Sequence, residues 1–484
     1  MSPDTPKRTI LALVTSGGFT HAAPVLDICR VLADRGHTIQ FATHDGQEIW
    51  TKNYGFIKTV YSLGPGPTEE QFREHWERMV DLKVEEALGS SRMWKSKYLW
   101  DSFWPATYKR MKELCLDPKS RPDFILADFF AEALTKDMML ELDIPIALVW
   151  PQMPYLLAPA PYIPGQPGFQ VDVTLTSEHA SLWSRLRNEL AVVWAVPHFV
   201  SWMGWFTNLR RQNGAKYPML PGGPRPHHLV LVNSFFGLET PKDLPPLVAA
   251  VGPILADEYP GLDERHASLL EAHNRTVYVA LGTNIVLPKP AFQKLLAGVF
   301  ITHAGGSSAN EAVFHGIPVI VLGFVFDQLA NGVRMEQAGV GLQLEKNTFT
   351  AEEVATHLAT LLNEETNESF TRNVERMENI ARTASRRKHL AAGLIEEVMY
   401  DSELRVERPM HLQTADMRMP WWKAQNLDLL LFSLVNFVGL PAAAVFGIRM
   451  LMRGQQVTSL RETLPQLFRS TTGLLGQALH NGFR

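Results

Sequence analysis

Only two cysteines, Cys29 and Cys115, occur in 484 residues. Neither a disulfide framework nor a thiolate metal cluster can be built from them, and a reducing compartment fits. An excess of one charge is missing as well. There are 46 Lys and Arg against 50 Asp and Glu, a net charge of −4, so no basic surface is implied and no nucleic-acid partner is expected. The N-terminus, MSPDTPKRT, is polar and leads straight into a strand with no apolar secretory segment before it. The globular part of the chain is therefore expected on the cytosolic side. What the chain has is apolar residue, 46% of the total, and a length that suggests two or three domains with sizeable cores.

The chain opens as a βαβ unit. Residues 10–15 are an apolar strand, Ser16-Gly17-Gly18-Phe19-Thr20-His21 reads as a Gly-rich turn, residues 22–35 are an amphipathic helix ending at Gly36, and residues 37–43 are a second strand. Further strands are expected at 124–127, ending at Asp128, and at 144–150 and 229–233. Residues 180–212 read as a helical region dense in Trp. A second α/β half restarts at 277–281, followed by Gly282-Thr283, with another strand at 339–344 and helices from 351 to 399.

The most informative stretch is 301–328, ITHAGGSSANEAVFHGIPVIVLGFVFDQ. It reads as a strand over 299–302, a Gly-rich turn over 303–306, a helix opening at Ser307, a buried strand over 317–322, and Asp327-Gln328 in the next loop. A helix N-terminus presents unpartnered N–H groups and partial positive charge, and anions bind there. Gly305 and Gly306 would let the backbone approach a diphosphate. Ser307 and Ser308 add hydroxyl donors, and His303 can donate from its ring. Glu311, a turn later, could accept from ribose hydroxyls. Asp327 and Gln328 offer acceptors and a donor to a sugar. A plain Gly-rich turn and helix cap would explain Gly-Gly alone, but not the whole ordered set.

This segment resembles the signature of the UDP-glycosyltransferases. The resemblance implies a GT-B architecture, an α/β fold of two Rossmann-like domains facing a cleft, over roughly residues 9–400. It implies that His303, Ser307 and Ser308 contact the diphosphate of a UDP-sugar, Glu311 the ribose, and Asp327 with Gln328 the sugar. Gly18 and Thr283 fall in the turns that would face the donor. Ala304 stands in place of the first family Gly, and Ser307 where Asn is common.

Transfer to a hydroxyl needs a base, and a His of near-neutral pKa suits that task. A second group must hold its tautomer. The family's base follows the first strand and its partner is the Asp of an apolar-Asp-Phe motif; His21 and the Asp128 of ILADFF match those positions. A helix-start histidine bonded to backbone is the alternative for His21. Asp123 lies five residues before Asp128, but it precedes the strand and so belongs to the opposite edge. No metal and no cofactor beyond the co-substrate are expected.

Only 21 positions separate Gly282 from His303, whereas a βαβ unit takes about 30 residues or more. The family's Trp-x-x-Gln segment, whose Trp stacks on uracil, has no counterpart there. Part of the second domain is expected to be lacking, with central strands removed. A mis-spliced or truncated gene product, a non-catalytic relative, and a base platform supplied by another segment are the three explanations.

Trp150, Tyr155, Tyr162, Phe169 and the Trp-rich helix suit a lipophilic acceptor, although each could equally pack a core. Residues 429–448 are uncharged and mainly apolar, long enough to span a bilayer. An interfacial or buried helix fits them too. The expected layout is an acceptor-binding domain over 1–250, a shortened nucleotide-sugar domain over 251–400, a linker over 401–426, a membrane helix over 427–449 and a tail over 450–484. The expected activity is inverting, metal-independent transfer of a hexose from a UDP-sugar to a hydroxyl of a lipophilic acceptor. A catalytically inactive membrane-associated binder is the alternative.

Overall fold

Thr9–Leu13 (β1) is apolar on both sides, as a strand covered on two faces must be. It lies between Thr38–Thr43 (β2) and Phe124–Asp128 (β4), parallel to both. With Ile57–Ser62 (β3), Ile146–Trp150 (β5), Leu229–Val232 (β6) and Val248–Ala250 (β7), these form a seven-stranded parallel sheet ordered β3-β2-β1-β4-β5-β6-β7. The computed structural model describes residues 6–80, 91–154, 157, 181–218, 225–259, 261–272, 279–282, 301–324, 327–362, 368–405 and 411–452. Tyr155, Tyr162, Phe169 and Thr283 lie outside the described residues.

Helices cover both faces of this sheet. Ile10, Ala12 and Val14 pack on one face against Phe19–Asp34 (α1). Leu11 and Leu13 pack on the other, where Ser91–Asp101 (α2), Trp104–Leu116 (α3), Glu132–Leu142 (α4) and Leu182–Gln212 (α5) gather. Trp202 and Phe206 of α5 are core residues there, whereas Trp183 is exposed.

The second sheet holds four described strands, Val279–Ala280 (β8), Ile301–Thr302 (β9), Val319–Val321 (β10) and Gly341–Gln343 (β11), in the order β11-β10-β9-β8, all parallel. Gly306–Phe314 (α6) follows β9, and Asp327–Gln337 (α7) follows β10. Ala351–Leu362 (α8) and Glu368–Ser385 (α9) complete this half. Lys388–Leu404 (α10) returns to the first sheet, where Ala391, Ile395 and Val398 join the core around α1 and Glu396 pairs with Arg35 and His37.

The strand order corrects one expectation. β8 pairs directly with β9, so no central strand is missing between them. In a sheet wound 3-2-1-4-5-6, the second and third strands lie beyond the first. A segment lost between β8 and β9 would therefore come off the β8 edge and leave the rest of the ladder continuous.

Residues 1–413 form one compact unit and 414–484 another. In the second, Leu427–Met450 is long and apolar enough to cross a membrane, with mean hydropathy 2.2 and none of it buried. Asn436, its internal amide, donates to the carbonyl of Phe432 at 2.8 Å. A π-helical turn at Val435–Gly439 precedes Pro441, accommodating a residue that has no N–H to give.

Candidate active site

In a doubly wound sheet the chain leaves in opposite directions after the first and fourth strands, and ligands bind at the crevice between their carboxyl ends. Here those strands are β1 and β4. His21 and Asp128 are 107 residues apart, yet topology brings them to that one place: His21 Nδ1 lies 2.9 Å from Asp128 Oδ2. The other carboxylate oxygen of Asp128 accepts the Phe130 N–H at 3.0 Å, so the carboxylate is fixed from both sides. It is buried, while a fifth of the His21 side chain remains exposed. Burial disfavours the imidazolium, but the Asp128 charge and hydrogen bond, with help from the Asp327 charge, outweigh it and raise the His21 pKa above its ordinary value. Asp123 is at the far edge, accepting from the Thr9 N–H at 2.8 Å.

His21 is not in the turn, as the sequence suggested, but in the first turn of α1, with Gly18 as N-cap. Gly17 and Gly18 have φ of 88° and 76°, a region costly for any residue with a Cβ. A Cβ on Gly17 would sit 2.2 Å from the His21 ring. Gly18 serves as the cap, its carbonyl accepting the His21 N–H at 3.1 Å.

The second sheet repeats the arrangement at β8 and β9. His303 packs between Gly282 and Gly305, where an added Cβ would come within 2.7 and 2.6 Å of its Nε2. Burial lowers its pKa to about 4, against a hydrogen bond to the Ala280 carbonyl. The ring is neutral, and its buried Nδ1 has no hydrogen-bond partner among the described residues. With the ring proton given to Ala280, Nδ1 is an acceptor, so donation to a diphosphate would require the proton to change nitrogen.

The tip of α6 meets both halves. Gly305 is its N-cap, and the Gly306 N–H donates to Asp327 Oδ2 at 2.8 Å. Ser307 donates its hydroxyl to the Thr20 carbonyl at 3.2 Å. The Ser308 hydroxyl is half-buried and makes no hydrogen bond among the described residues. Glu311 is exposed, its pKa raised by partial desolvation. The left-handed residue in this loop is not a glycine but Ala304, φ 53°, held by Thr302 Oγ1 at its N–H and by Asn331 at its carbonyl.

Asp327 and Gln328 open α7 rather than ending in a loop. Asp327 takes the place at the α6 tip where an anion would sit, close enough for its charge to act on His21. Gln328 is buried and its amide oxygen accepts the Phe324 N–H at 3.0 Å. A sugar contact from Gln328 would require that bond to be released.

Sequence reasoning missed the polar frame behind these groups. Arg334 of α7 pairs with buried Glu239 at 3.2 Å and contacts Asn331 Oδ1 at 3.3 Å. Asn310 of α6 donates to the Asn233 carbonyl at 2.8 Å. Asn233 and Glu239 are the first and last residues of the stretch NSFFGLE.

The family described as "UDP-glucoronosyl and UDP-glucosyl transferase" matches residues 231–457. A UDP-glycosyltransferase of Talaromyces amestolkiae is 39% identical over 91% of this chain and 97% of its own length. UDP-glycosyltransferase FPY2 of Fusarium mangiferae is 36% identical over 90% of this chain and 97% of its own length. The chain belongs to the UDP-glycosyltransferase family. It is a UDP-dependent glycosyltransferase by class, and its donor is a UDP-sugar. Solved structures show the GT-B fold: the kitacinnamycin glycotransferase superposes with a TM-score of 0.59 at 15% identity, covering 81% of this chain and 100% of that one. The calicheamicin glycosyltransferase CalG4 gives 0.54 at 15% identity over 83% and 100%. The alignment to the Talaromyces relative runs over 523 residues while using 91% of 484, so part of that glycosyltransferase has no counterpart here.

Proposed function

We propose that this glycosyltransferase moves a hexose from a UDP-sugar to a hydroxyl of a lipophilic acceptor, with inversion at the anomeric carbon and without a metal. The observation that carries the reading is the His21–Asp128 pair at 2.9 Å, set beside the tip of α6, where Ser307 reaches Thr20, the residue before His21. In this mechanism His21 Nε2 takes the acceptor proton while Asp128 holds Nδ1 protonated. The deprotonating oxygen attacks the anomeric carbon from the side opposite the diphosphate, so an α-linked donor gives a β-glycoside. UDP leaves against the N–H groups at the α6 tip, aided by Ser307 and Ser308. Asp327 moves from the Gly306 N–H to the sugar as the diphosphate arrives. Glu311 receives the ribose. Leu427–Met450, with Trp421 and Trp422 exposed just before it, anchors the protein to the membrane that supplies lipophilic acceptors.

The shortened second half motivates one other reading, a lipophile-binding relative that no longer transfers. Incubation of the purified full-length protein with UDP-glucose and 2-naphthol decides between them. A β-naphthyl glucoside, absent from His21→Ala although that variant still binds UDP, is the expected result. Retention of naphthol without product would identify the binder.

A further inference from the structure

A shallow cleft, open to solvent, lies over the carboxyl ends of β2, β1 and β4. Thr15 and Ser16 line it from the end of β1, His44 from the end of β2, and Phe130 from the end of β4. Phe130 is also the wall next to the base, its ring centroid 5.1 Å from that of His21. The remaining wall is aromatic, from Trp100, Phe103 and Trp104. Such walls accept planar rings.

The polar groups in the cleft are mostly spoken for. Asp101 receives the Trp202 indole N–H at 2.8 Å and Lys97 at 3.1 Å. Thr107 donates to the Phe103 carbonyl at 2.9 Å. His44 differs. It is buried, its Nδ1 is 3.1 Å from the Gly64 carbonyl, and its ring lies flush against Gly66, where a Cβ would come within 3.1 Å. A ring nitrogen facing a carbonyl must carry the proton, so Nε2 is left with its lone pair. That nitrogen has no protein partner among the described residues and is not among the sealed, solvent-free atoms. Burial lowers the pKa of His44, which keeps the lone pair available.

We propose that His44 Nε2 is a specificity-determining acceptor of a hydrogen bond, and that the natural acceptor is a planar aromatic with a second hydroxyl remote from the one that is glycosylated. The inference rests on the reading of this cleft as the acceptor site. His44 lines the cleft at the end of β2, and Phe130, which lines it at the end of β4, packs against the His21 ring, so an acceptor filling the cleft runs from His44 toward the base. An acceptor without the second hydroxyl would leave a buried polar atom unpaired, which is how such sites reject close analogues.

The test compares 2,6-dihydroxynaphthalene with its monomethyl ether, 6-methoxy-2-naphthol, which has the same ring but only one hydrogen to donate. Binding is read by quenching of the fluorescence of Trp100 and Trp104, and transfer by product formation from UDP-glucose. The wild-type protein is expected to bind the diol about tenfold more tightly than the ether. His44→Phe should bring the ratio to within about threefold, and His44→Gln, which restores an acceptor oxygen, should recover much of it. Equal affinity of the wild-type protein for diol and ether would overturn the proposal, as would a diol preference that survives in His44→Phe. Should His44→Phe fail to fold, the wild-type pair and His44→Gln still decide. Binding that discriminates without any transfer would sustain this inference while refuting the proposed activity.

Discussion

The hydroxyl of Ser307 donates to the carbonyl of Thr20 at 3.2 Å, and Pro24 is the reason that carbonyl is free. In a helix the Thr20 carbonyl would accept from the N–H of residue 24, and proline has none. Pro24 lies inside α1, so the first turn of the helix that carries His21 offers one unused acceptor toward the second half. The serine at the tip of α6 fills it.

Ser307→Ala removes that link and one hydroxyl from the diphosphate site. The expected loss of stability is about 1 kcal/mol, typical of one hydrogen bond. Because the same hydroxyl turns from Thr20 to the diphosphate in the proposed mechanism, the KM for UDP-sugar should rise several-fold with kcat less affected. Thermal melts and donor titrations check both, and a kcat collapse at unchanged KM would contradict the assignment.

Gly17→Ala should abolish most activity without unfolding the chain. The new methyl would fall 2.2 Å from the His21 ring, at a φ of 88° that already disfavours alanine. The imidazole must move, and displacement of a base by about 1 Å costs on the order of 10²-fold in rate. UDP binding, measured by calorimetry, should persist, since the altered group is on the base side of the cleft.

The His21 pKa is raised, and catalysis needs the neutral ring. Turnover should therefore climb with pH through an apparent pKa above 6.5. Stability runs the other way. A histidine whose folded pKa exceeds its unfolded value contributes stability fully below the unfolded pKa, near 6.5, and that contribution is lost as pH rises through the folded pKa. Asp128→Asn leaves burial as the main remaining influence, so the apparent pKa should drop and the rate fall on the order of 10²-fold or more. A pH–rate profile of the wild type and this variant measures both.

What the sequence carried and what it did not divide along a physical line. His21 and Asp128 were legible because a polar residue just past an apolar parallel strand has one edge of the sheet to occupy. The turn and helix start at 303–308 were legible because glycines, serines and a helix N-terminus have a local reason to be together. Helix boundaries were less so. Asp327 opens α7 because an acidic residue suits the positive end of a helix, a preference its motif position does not show. Strand order is not written in spacing, which is why the short 282–303 interval was read as a loss of central strands. The Thr20–Ser307 bond, Gly17 under His21, and Arg334 on Glu239 join segments far apart in sequence, and only the packed halves reveal them.

That last pair gives the strongest stability prediction. Arg334 and Glu239 are both almost completely buried, 3.2 Å apart. Glu239 also receives the Met153 N–H at 3.1 Å, but its Oε2 and the Arg334 Nε have no hydrogen-bond partner among the described residues. The pair is thus held by charge more than by hydrogen-bond geometry, and removing one member leaves an uncompensated ion in a low-dielectric interior. Arg334→Met or Glu239→Gln alone should cost about 3–5 kcal/mol. The double variant removes both charges together and should be more stable than either single, since desolvating the ions is itself unfavourable. Urea midpoints of the four proteins complete the cycle. Additive losses in the double variant would show that Arg334 acts through packing alone. Recovery would show that each charge is kept to compensate the other.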